Sequence, residues 1–438
     1  MIFLKQAIIL AGGKGSRLSS RLKGLPKPLV DFDGKPLISY QLKILKKYGF
    51  EDVLVLVNHK SEKIIDFINS KDWGMDIKCV DDEKPLGTAG AVLAQFDNLA
   101  NEFLVIYGDT IFDVDLKRFS DFHKKNSFDL TLFVHPNNHP YDSDIVEIDK
   151  QSVVKKIHSY PHKPDLITKN LVNAALYIIN KDSLASQSRS NISFADFGKD
   201  IFPELIKSKI KIGAYNSPEY IKDCGTPERL DLAIKDFKSG KIESSNLNTP
   251  QKAIFLDRDG TINEDIDHIK DIDELILLDS SAEAIRLINQ SSYRCIVITN
   301  QPVVARGECS FEKLDMIHNY LETILGKSNA FLDRIYFCPH HPDSGFNGEI
   351  KDLKIDCGCR KPKIGMLLTA KNDFNIDFKR SWFIGDTTVD VKTAKNAGIK
   401  SILLETGKSG SDMKYSDKED YKKKDILEAV KFILDQEK

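Results

Sequence analysis

The stretch that decides the fold of the second half of the chain is Ala253–Thr261, which reads AIFLDRDGT. Its first four residues are apolar and predict a buried strand, and two aspartates follow that strand directly. Ligands of open parallel sheets bind beyond the carboxyl ends of the strands, so Asp257 and Asp259 are candidate site residues. One carboxylate can attack phosphorus while the other, held protonated, donates to the leaving oxygen. A surface turn is the alternative for this pair taken alone.

Polar or charged residues also follow other apolar runs of this half. Thr299 and Asn300 end the next run and can hydrogen-bond phosphoryl oxygens, while Arg360 and Lys361 bring fixed positive charge. Asp386 ends a further run, in GDTTVD at 385–390, and offers a carboxylate to Mg²⁺. Apolar runs that alternate with helical segments in both halves predict an α/β fold, with mostly parallel sheets flanked by helices.

The first half begins with a strand followed by a glycine-rich loop. The run Ala7–Ala11 leads into GGKGSRL at 12–18, where Gly12, Gly13 and Gly15 let backbone N–H groups surround phosphate oxygens. The spacing matches neither the dinucleotide-binding glycine pattern nor the P-loop. A structural turn rich in glycine is the alternative.

Residues further along the first half indicate which phosphate-containing ligand this loop would bind. Lys27 lies in a segment stiffened by prolines, and the small residues of Leu86–Gly90 offer a surface for a planar base. Asp109 ends a predicted strand, and Asp223 precedes a predicted helix. Two carboxylates with Mg²⁺ are what attack on an α-phosphate requires, and Arg17 and Lys27 would stabilise the charge that develops.

Five motifs in order over residues 1–238 resemble the sugar-1-phosphate nucleotidylyltransferases: GGxGxRL, PKP, LGTAG, GD and DxGTP. The resemblance implies that Asp109 and Asp223 hold Mg²⁺ and that Arg17 and Lys27 contact the triphosphate. It also implies that Gly87 contacts the edge of the base.

Two further stretches bear on the sugar. The sequence NAALY at 173–177 resembles the strand of this family that contacts the sugar, which makes Asn173 a candidate. Where the family usually has Glu-Lys-Pro, this chain has YPHKP at 160–164. Lys163 is either the replacement lysine or a solvated loop residue.

Residues 252 to about 405 resemble the haloacid dehalogenase (HAD) superfamily, with all its usual motifs in order. The resemblance implies that Asp257 is the nucleophile and that Asp259 is the general acid and later the base. Mg²⁺ would be held by Asp257, the Asp259 carbonyl and Asp386. Thr299 and Lys361 would stabilise the phosphoryl group.

A cluster of soft ligands follows the third strand of this half. Cys338, His340, Cys357 and Cys359 supply three thiolates and one imidazole, which suit a closed tetrahedral zinc site. We expect this zinc to be structural, because no ligand position is left for water. It would fix the loop that carries Arg360. Unrelated buried cysteines are the alternative.

The zinc loop, with Asn263–His268 and Thr299–Gly307, resembles the branch that contains heptose 1,7-bisphosphate 7-phosphatase and histidinol-phosphate phosphatase. The chain departs from this branch at Pro302-Val303, where Ser-Gly is common. The resemblance adds these substrate-binding candidates: Asp265, His268, Asn300, Arg360 and Thr387.

Length and composition agree with two domains. A chain of 438 residues exceeds what one core usually serves, and the polar stretch 239–251 is the predicted linker between domains at 1–238 and 252–438. A net charge of −2 indicates no strongly basic face, so we expect neither nucleic acid nor membrane as partner, although an oligomer stays possible. No apolar stretch has the length of a membrane span, and seven cysteines without a secretory signal favour the cytoplasm.

The order of the two halves suggests consecutive reactions. A phosphatase that removes the far phosphate of a sugar bisphosphate produces the sugar 1-phosphate that a nucleotidylyltransferase consumes. The predicted reactions convert D-glycero-D-manno-heptose 1,7-bisphosphate to heptose 1-phosphate, and heptose 1-phosphate to nucleotide-activated heptose, which is used for surface glycans. The first half resembles heptose 1-phosphate guanylyltransferases, which favours GTP. The alternatives are a histidinol-phosphate phosphatase, a UDP- or ADP-forming first domain, and a non-enzymatic regulatory chain.

Overall fold

The computed structural model describes residues 4–82, 84–163, 165–188 and 194–437. It divides into two compact units, each built from three stretches of chain. Unit 1 consists of Met1–His135, Ser143–Pro161 and Leu171–Asn246, and unit 2 consists of Pro136–Asp142, His162–Asn170 and Leu247–Lys438. Two short stretches of the first half of the sequence therefore belong to unit 2.

Unit 1 is a mixed sheet flanked by helices. Its strands are β1 Gln6–Leu10, β2 Asp31–Phe32, β3 Lys35–Pro36, β4 Asp52–Val57, β5 Asp76–Asp81, β6 Glu102–Tyr107, β7 Thr110–Asp113, β8 Leu130–His135, β9 Ile145–Ile148, β10 Val154–His158, β11 Val172–Asn180, β12 Ile212–Asn216 and β13 Tyr220–Asp223. Its helices are α1 Ser19–Leu22, α2 Leu37–Lys47, α3 Ser61–Asn69, α4 Gly87–Ala94, α5 Leu116–Lys125, α6 Ala185–Ser188, α7 Phe202–Lys207, α8 Pro227–Lys238 and α9 Lys241–Ser244.

The main sheet of unit 1 has a parallel centre with antiparallel strands beside it. Its order is β10-β9-β11-β6-β1-β4-β5, and β8 pairs with β11 and β12. The strands β6, β1, β4 and β5 run parallel, as the βα pattern of the sequence predicts, whereas β11 runs antiparallel to β6 and β8. The carboxyl ends of β1 and β6 lie side by side and position the glycine-rich loop beside Asp109.

Unit 2 is a six-stranded, fully parallel sheet between helices. Its strand order is β16-β15-β14-β17-β18-β19. The strands are β14 Lys252–Leu256, β15 Tyr293–Asn300, β16 Arg334–Cys338, β17 Trp382–Gly385, β18 Lys400–Leu404 and β19 Tyr421–Lys423. The helices are α10 Ser281–Gln290, α11 Phe311–Lys327, α12 Gly365–Phe374, α13 Thr388–Ala397 and α14 Ile426–Asp435. The predicted α/β class is confirmed.

Strand β14 shows why this sheet is buried on both faces. Its side chains alternate, so Ile254 and Leu256 pack into one hydrophobic cluster while Ala253 and Phe255 pack into another on the opposite face. Each fully buried aliphatic side chain of this kind contributes about 1.5–3 kcal/mol. The burial fixes the strand end at Leu256 and thereby fixes where Asp257 emerges.

The predicted linker interval 239–251 is partly ordered into secondary structure. It contains the short helix α9, and Ile242 is buried in unit 1. Within the described ranges, no helix combines the length and apolar character that crossing a membrane requires.

Candidate active sites

The residues predicted for phosphoryl transfer meet at the carboxyl edge of the unit 2 sheet. Asp257 directly follows β14, Thr299 lies near the end of β15, and Asp386 directly follows β17. Strand β14 lies between β15 and β17, which brings these three residues together. One cavity of 510 Å³ is lined by every residue predicted for this site apart from the zinc ligands, namely Asp257, Asp259, Asp265, His268, Thr299, Asn300, Arg360, Lys361, Asp386 and Thr387.

Lys361 is the buried cation of this cavity. Its ammonium lies 2.8 Å from a carboxylate oxygen of Asp257 and 2.6 Å from one of Asp390. Burial opposes the positive charge, but the two carboxylates outweigh it and raise the pKa of Lys361. Asp390 in turn accepts hydrogen bonds from the Thr387 backbone N–H and hydroxyl, at 3.1 and 2.6 Å. A permanent positive charge is therefore held rigidly beside Asp257.

Two carboxylates of this cavity, with Asp390 beside them, form a set that fits a divalent cation. Oxygens of Asp257, Asp386 and Asp390 all lie within 4.8 Å of one another. One carboxylate oxygen of Asp386 is buried and has no hydrogen-bond partner among the residues that the structure describes. Burial raises the pKa of Asp257 to about 7 and that of Asp386 to about 8, with Asp390 adding to both shifts. Hard oxygen ligands at this separation suit Mg²⁺.

A glycine is required at position 260 because the backbone there packs closely against the Asp386 side chain. Its φ is 73°, and a Cβ here would overlap the Asp386 carboxylate. The glycine in the DRDGT motif thus lets the loop after β14 approach the Asp386 carboxylate.

Three side chains donate hydrogen bonds that hold the Asp259 carboxylate in place. Its carboxylate accepts hydrogen bonds from Arg258 at 2.8–3.0 Å, from Asn263 at 2.9 Å and from Gln301 at 2.9 Å. Burial alone would raise its pKa, but these donors, Arg258 foremost, lower the pKa of Asp259 below its usual value. In this arrangement Asp259 is a carboxylate, and a bound phosphate would favour its protonation by like-charge repulsion.

The outer part of the cavity is rich in cations that the sequence analysis did not single out. Arg306 Nη1 lies 2.9 Å from His268 Nε2, and His268 Nδ1 lies 2.9 Å from Glu308. Lys408 pairs with Asp265 at 3.6 Å and donates its backbone N–H to Asp386 at 2.7 Å. Arg306 and Lys408 both line the cavity. Neither directly follows a strand, so the strand-end rule could not find them.

The four predicted soft ligands converge in unit 2. The sulfur of Cys359 lies 3.2 Å from the sulfurs of Cys338 and Cys357 and 3.3 Å from Nδ1 of His340. All four ligand atoms lie within 4.8 Å of one another. Separations of this size are close to the edges of a tetrahedron around zinc, which are about 3.7 Å for zinc–sulfur bonds of about 2.3 Å. The donor set and its geometry both fit a closed zinc site.

In unit 1 the predicted cations converge on the DxGTP turn. A Cβ added to Gly225 would lie 3.2 Å from Lys27 Nζ and 3.5 Å from Arg17 Nη2. Gly15 adopts a left-handed conformation, with φ 65°, directly before the 3₁₀ turn that carries Arg17. The glycine loop therefore brings Arg17 to the same point as Lys27, although the two are ten positions apart in the sequence.

The two predicted metal ligands of unit 1 are each ion-paired. Asp109 pairs with Lys27, and Asp223 accepts two hydrogen bonds from Arg229 at 2.8 and 3.1 Å. The backbone joins the two carboxylate residues, because the Cys224 N–H donates to the Asp109 carbonyl at 2.8 Å. Oxygen ligands at this place suit Mg²⁺. Arg229, in the first turn of α8, was not predicted from the sequence.

The candidates for base and sugar contact lie on α4 and β11. Gly87 has φ 76°, and a Cβ there would overlap the carbonyl oxygen of Ala195. Asn173 lies at an irregularity of β11 and donates to the Tyr177 hydroxyl at 3.0 Å. Lys163 is exposed and belongs to unit 2, while its neighbour Pro164 lies outside the described residues.

Comparison with known families agrees with the two sites. The nucleotidyl transferase family matches residues 6–239, and the HAD-hydrolase-like family matches residues 358–430. The first match covers more than half of the chain.

Individual relatives match both halves. A D-glycero-beta-D-manno-heptose-1,7-bisphosphate 7-phosphatase of Yersinia pestis is 39% identical over 157 residues, covering 36% of this chain and 81% of the relative. The enzyme of the same name from Pasteurella multocida is 40% identical over 159 residues, covering 36% and 84%. The crystal structure of HddC from Yersinia pseudotuberculosis aligns with a TM-score of 0.47 and 27% identity, over 53% of this chain and all of that one.

The first half thus matches a transferase family over nearly its whole length, and the second half matches phosphatases over most of theirs. The chain belongs to the nucleotidyl transferase family through residues 6–239 and to the HAD-type phosphatase family of these relatives through its second half, and it is a bifunctional enzyme.

Proposed function

We propose that unit 2 removes the 7-phosphate of D-glycero-D-manno-heptose 1,7-bisphosphate. The observation that carries this proposal is the buried Lys361 between Asp257 and Asp390, in a half 39% identical to phosphatases named for that substrate. Arg306, Arg360 and Lys408 at the same cavity supply positive charge for a substrate with a second phosphate.

The proposed reaction proceeds in two steps. A carboxylate oxygen of Asp257 attacks phosphorus, and the bond to the sugar oxygen breaks while Asp259 gives that oxygen a proton. Water then attacks the phosphoaspartate, Asp259 takes its proton, and phosphate leaves with the Asp257 carboxylate restored. Lys361 and Thr299 hold the phosphoryl oxygens in both steps. Asp257, Asp386 and the Asp259 carbonyl would hold Mg²⁺, which would supply neutralising charge to the phosphoryl group.

We propose further that unit 1 transfers a nucleotidyl group from a nucleoside triphosphate to heptose 1-phosphate and releases pyrophosphate. Arg17 and Lys27, which converge at Gly225, would bind the triphosphate, and Asp109 and Asp223 would hold Mg²⁺. The glycines of residues 12–15 would contact phosphate oxygens, Gly87 the base and Asn173 the sugar. GTP is the proposed nucleotide, on the basis of the sequence resemblance to guanylyltransferases.

We also propose that the cluster of Cys338, His340, Cys357 and Cys359 holds one structural zinc ion. All four ligand positions are filled by protein, so this ion would have no position for substrate. Its role would be to fix the segment that leads from Cys359 into Arg360 and Lys361.

A substrate panel tests the proposed function. The full chain with Mg²⁺ is given heptose 1,7-bisphosphate or histidinol phosphate, and released phosphate is measured. Heptose 1-phosphate is then supplied with ATP, CTP, GTP or UTP, and pyrophosphate is measured. We expect phosphate from the heptose bisphosphate and pyrophosphate with GTP. Hydrolysis of histidinol phosphate without hydrolysis of the heptose bisphosphate would overturn the heptose assignment.

A further inference from the structure

The segment His162–Asn170 is part of unit 2 although it lies between β10 and β11 in the sequence. The Asn170 backbone N–H donates to a carboxylate oxygen of Glu322 at 2.6 Å. Thr168 N–H donates to the Thr323 hydroxyl at 3.3 Å, and that hydroxyl reaches the Thr168 carbonyl at 3.2 Å. These bonds join residues 168–170 to helix α11, which carries Glu322 and Thr323.

His318 lies one helical turn before Glu322 and faces Arg258. Its Nε2 is 3.3 Å from Arg258 Nη1, and the Arg258 side chain is fully buried. Burial, Arg258 and Lys169 all lower the pKa of His318 well below its usual value, so the ring is neutral. Because the guanidinium can only donate, Nε2 must accept and the ring proton is assigned to Nδ1.

Arg258 thereby connects His318 to Asp259, the proposed general acid and base. Its Nη1 is directed to His318, while Nε and Nη2 donate to the Asp259 carboxylate at 2.8–3.0 Å. A guanidinium is planar, so fixing one nitrogen restricts where the other two point. A protonated His318 would place two donors face to face and push the guanidinium away.

We propose that His318 is a positioning residue of the phosphatase: it accepts a hydrogen bond from Arg258 and thereby aims the guanidinium at the Asp259 carboxylate. The inference rests on the proposed phosphatase function, since it assigns Asp259 the proton transfer.

Variants of His318 in the full chain test this proposal. His318→Leu removes the acceptor at similar volume, and His318→Gln restores an acceptor oxygen. We expect His318→Leu to lower kcat on heptose 1,7-bisphosphate about tenfold, since general acid catalysis contributes roughly 10²–10⁴-fold and would be impaired in part. Its KM should be unchanged and p-nitrophenyl phosphate hydrolysis much less affected, because that leaving group needs no proton. His318→Gln should keep most activity.

Equal losses on both substrates, or no loss, would overturn the positioning role. A parent chain that hydrolyses p-nitrophenyl phosphate but not the heptose bisphosphate would contradict the proposed substrate instead. In that case, His318→Leu and the parent chain are compared on a sugar phosphate that the parent chain does hydrolyse.

Discussion

Lys361 Nζ lies 2.8 Å from a carboxylate oxygen of Asp257, with the lysine side chain 2% exposed and the aspartate side chain 13% exposed. A buried ammonium at this distance orients the carboxylate and leaves its charge available for phosphoryl oxygens. Under the proposed mechanism, the pair would place the nucleophile and a stabilising charge at one point of the unit 2 cavity.

Asp257→Asn should abolish phosphatase activity, by on the order of 10³-fold or more, because the amide cannot form the phosphoaspartate. Nucleotidyl transfer from GTP to supplied heptose 1-phosphate should stay at the parental rate. Phosphate and pyrophosphate release are measured on the same preparation. The matched control is Asp273→Asn, at an exposed position, which should keep both activities. Loss of both activities in Asp257→Asn would mean that the two sites are not independent.

The raised pKa values of Asp257 and Asp386, about 7 and about 8, predict that Mg²⁺ binding depends on pH. Mg²⁺ needs both carboxylates deprotonated, so its affinity should fall as the pH decreases from 8 to 6 and binding should release protons. Calorimetry in two buffers of different ionisation enthalpy measures this release. An affinity that does not change between pH 6 and 8 would contradict the prediction.

The same shifts predict the stability of the metal-free protein. A carboxylate whose folded pKa is raised stabilises the fold only while it is protonated. Without Mg²⁺, this contribution should therefore be lost as the pH rises from about 4, the unfolded value, towards 8. Thermal melting with and without Mg²⁺ at pH 6 and 8 checks this, and the gain from Mg²⁺ should be larger at pH 8.

Cys357→Ala should reduce bound zinc from one ion per chain to a small fraction, because three ligands hold zinc much more weakly than four. The melting temperature of the phosphatase unit and its activity should fall, since structural zinc contributes folding free energy. Metal content is measured by mass spectrometry. Cys79→Ala, in unit 1 and outside the cluster, is the control and should retain one zinc. Full zinc content in Cys357→Ala would exclude this cluster as the site.

Gly87→Ala should abolish nucleotidyl transfer and spare the phosphatase, because its Cβ would overlap the Ala195 carbonyl and displace the start of α4. Gly49→Ala is the matched control. Gly49 has φ 78°, but nothing lies within 4 Å of an added Cβ. Only the backbone strain of about 1 kcal/mol applies there. Equal transferase activity in the two variants would show that close packing at Gly87 does not matter.

The sequence by itself determined the fold class and most of the candidate sites. An apolar run followed by Asp257, or by Asp386, is a local feature, and parallel strands bring their carboxyl ends to one edge whatever the details of packing. The convergence of Cys338, His340, Cys357 and Cys359 could also be predicted, because two close pairs of soft ligands have few other uses. Spacing and residue type are therefore enough to predict a candidate site when its residues lie close together in the sequence.

Tertiary structure alone decided which side chains pair across the chain. Asp390 reaches Lys361, and His318 contacts Arg258, each through a close approach that depends on how helices pack on the sheet. The same is true of the antiparallel β11 and of the segment His162–Asn170, which belongs to unit 2. Such contacts join residues far apart in sequence, and their energy depends on burial that no local pattern encodes.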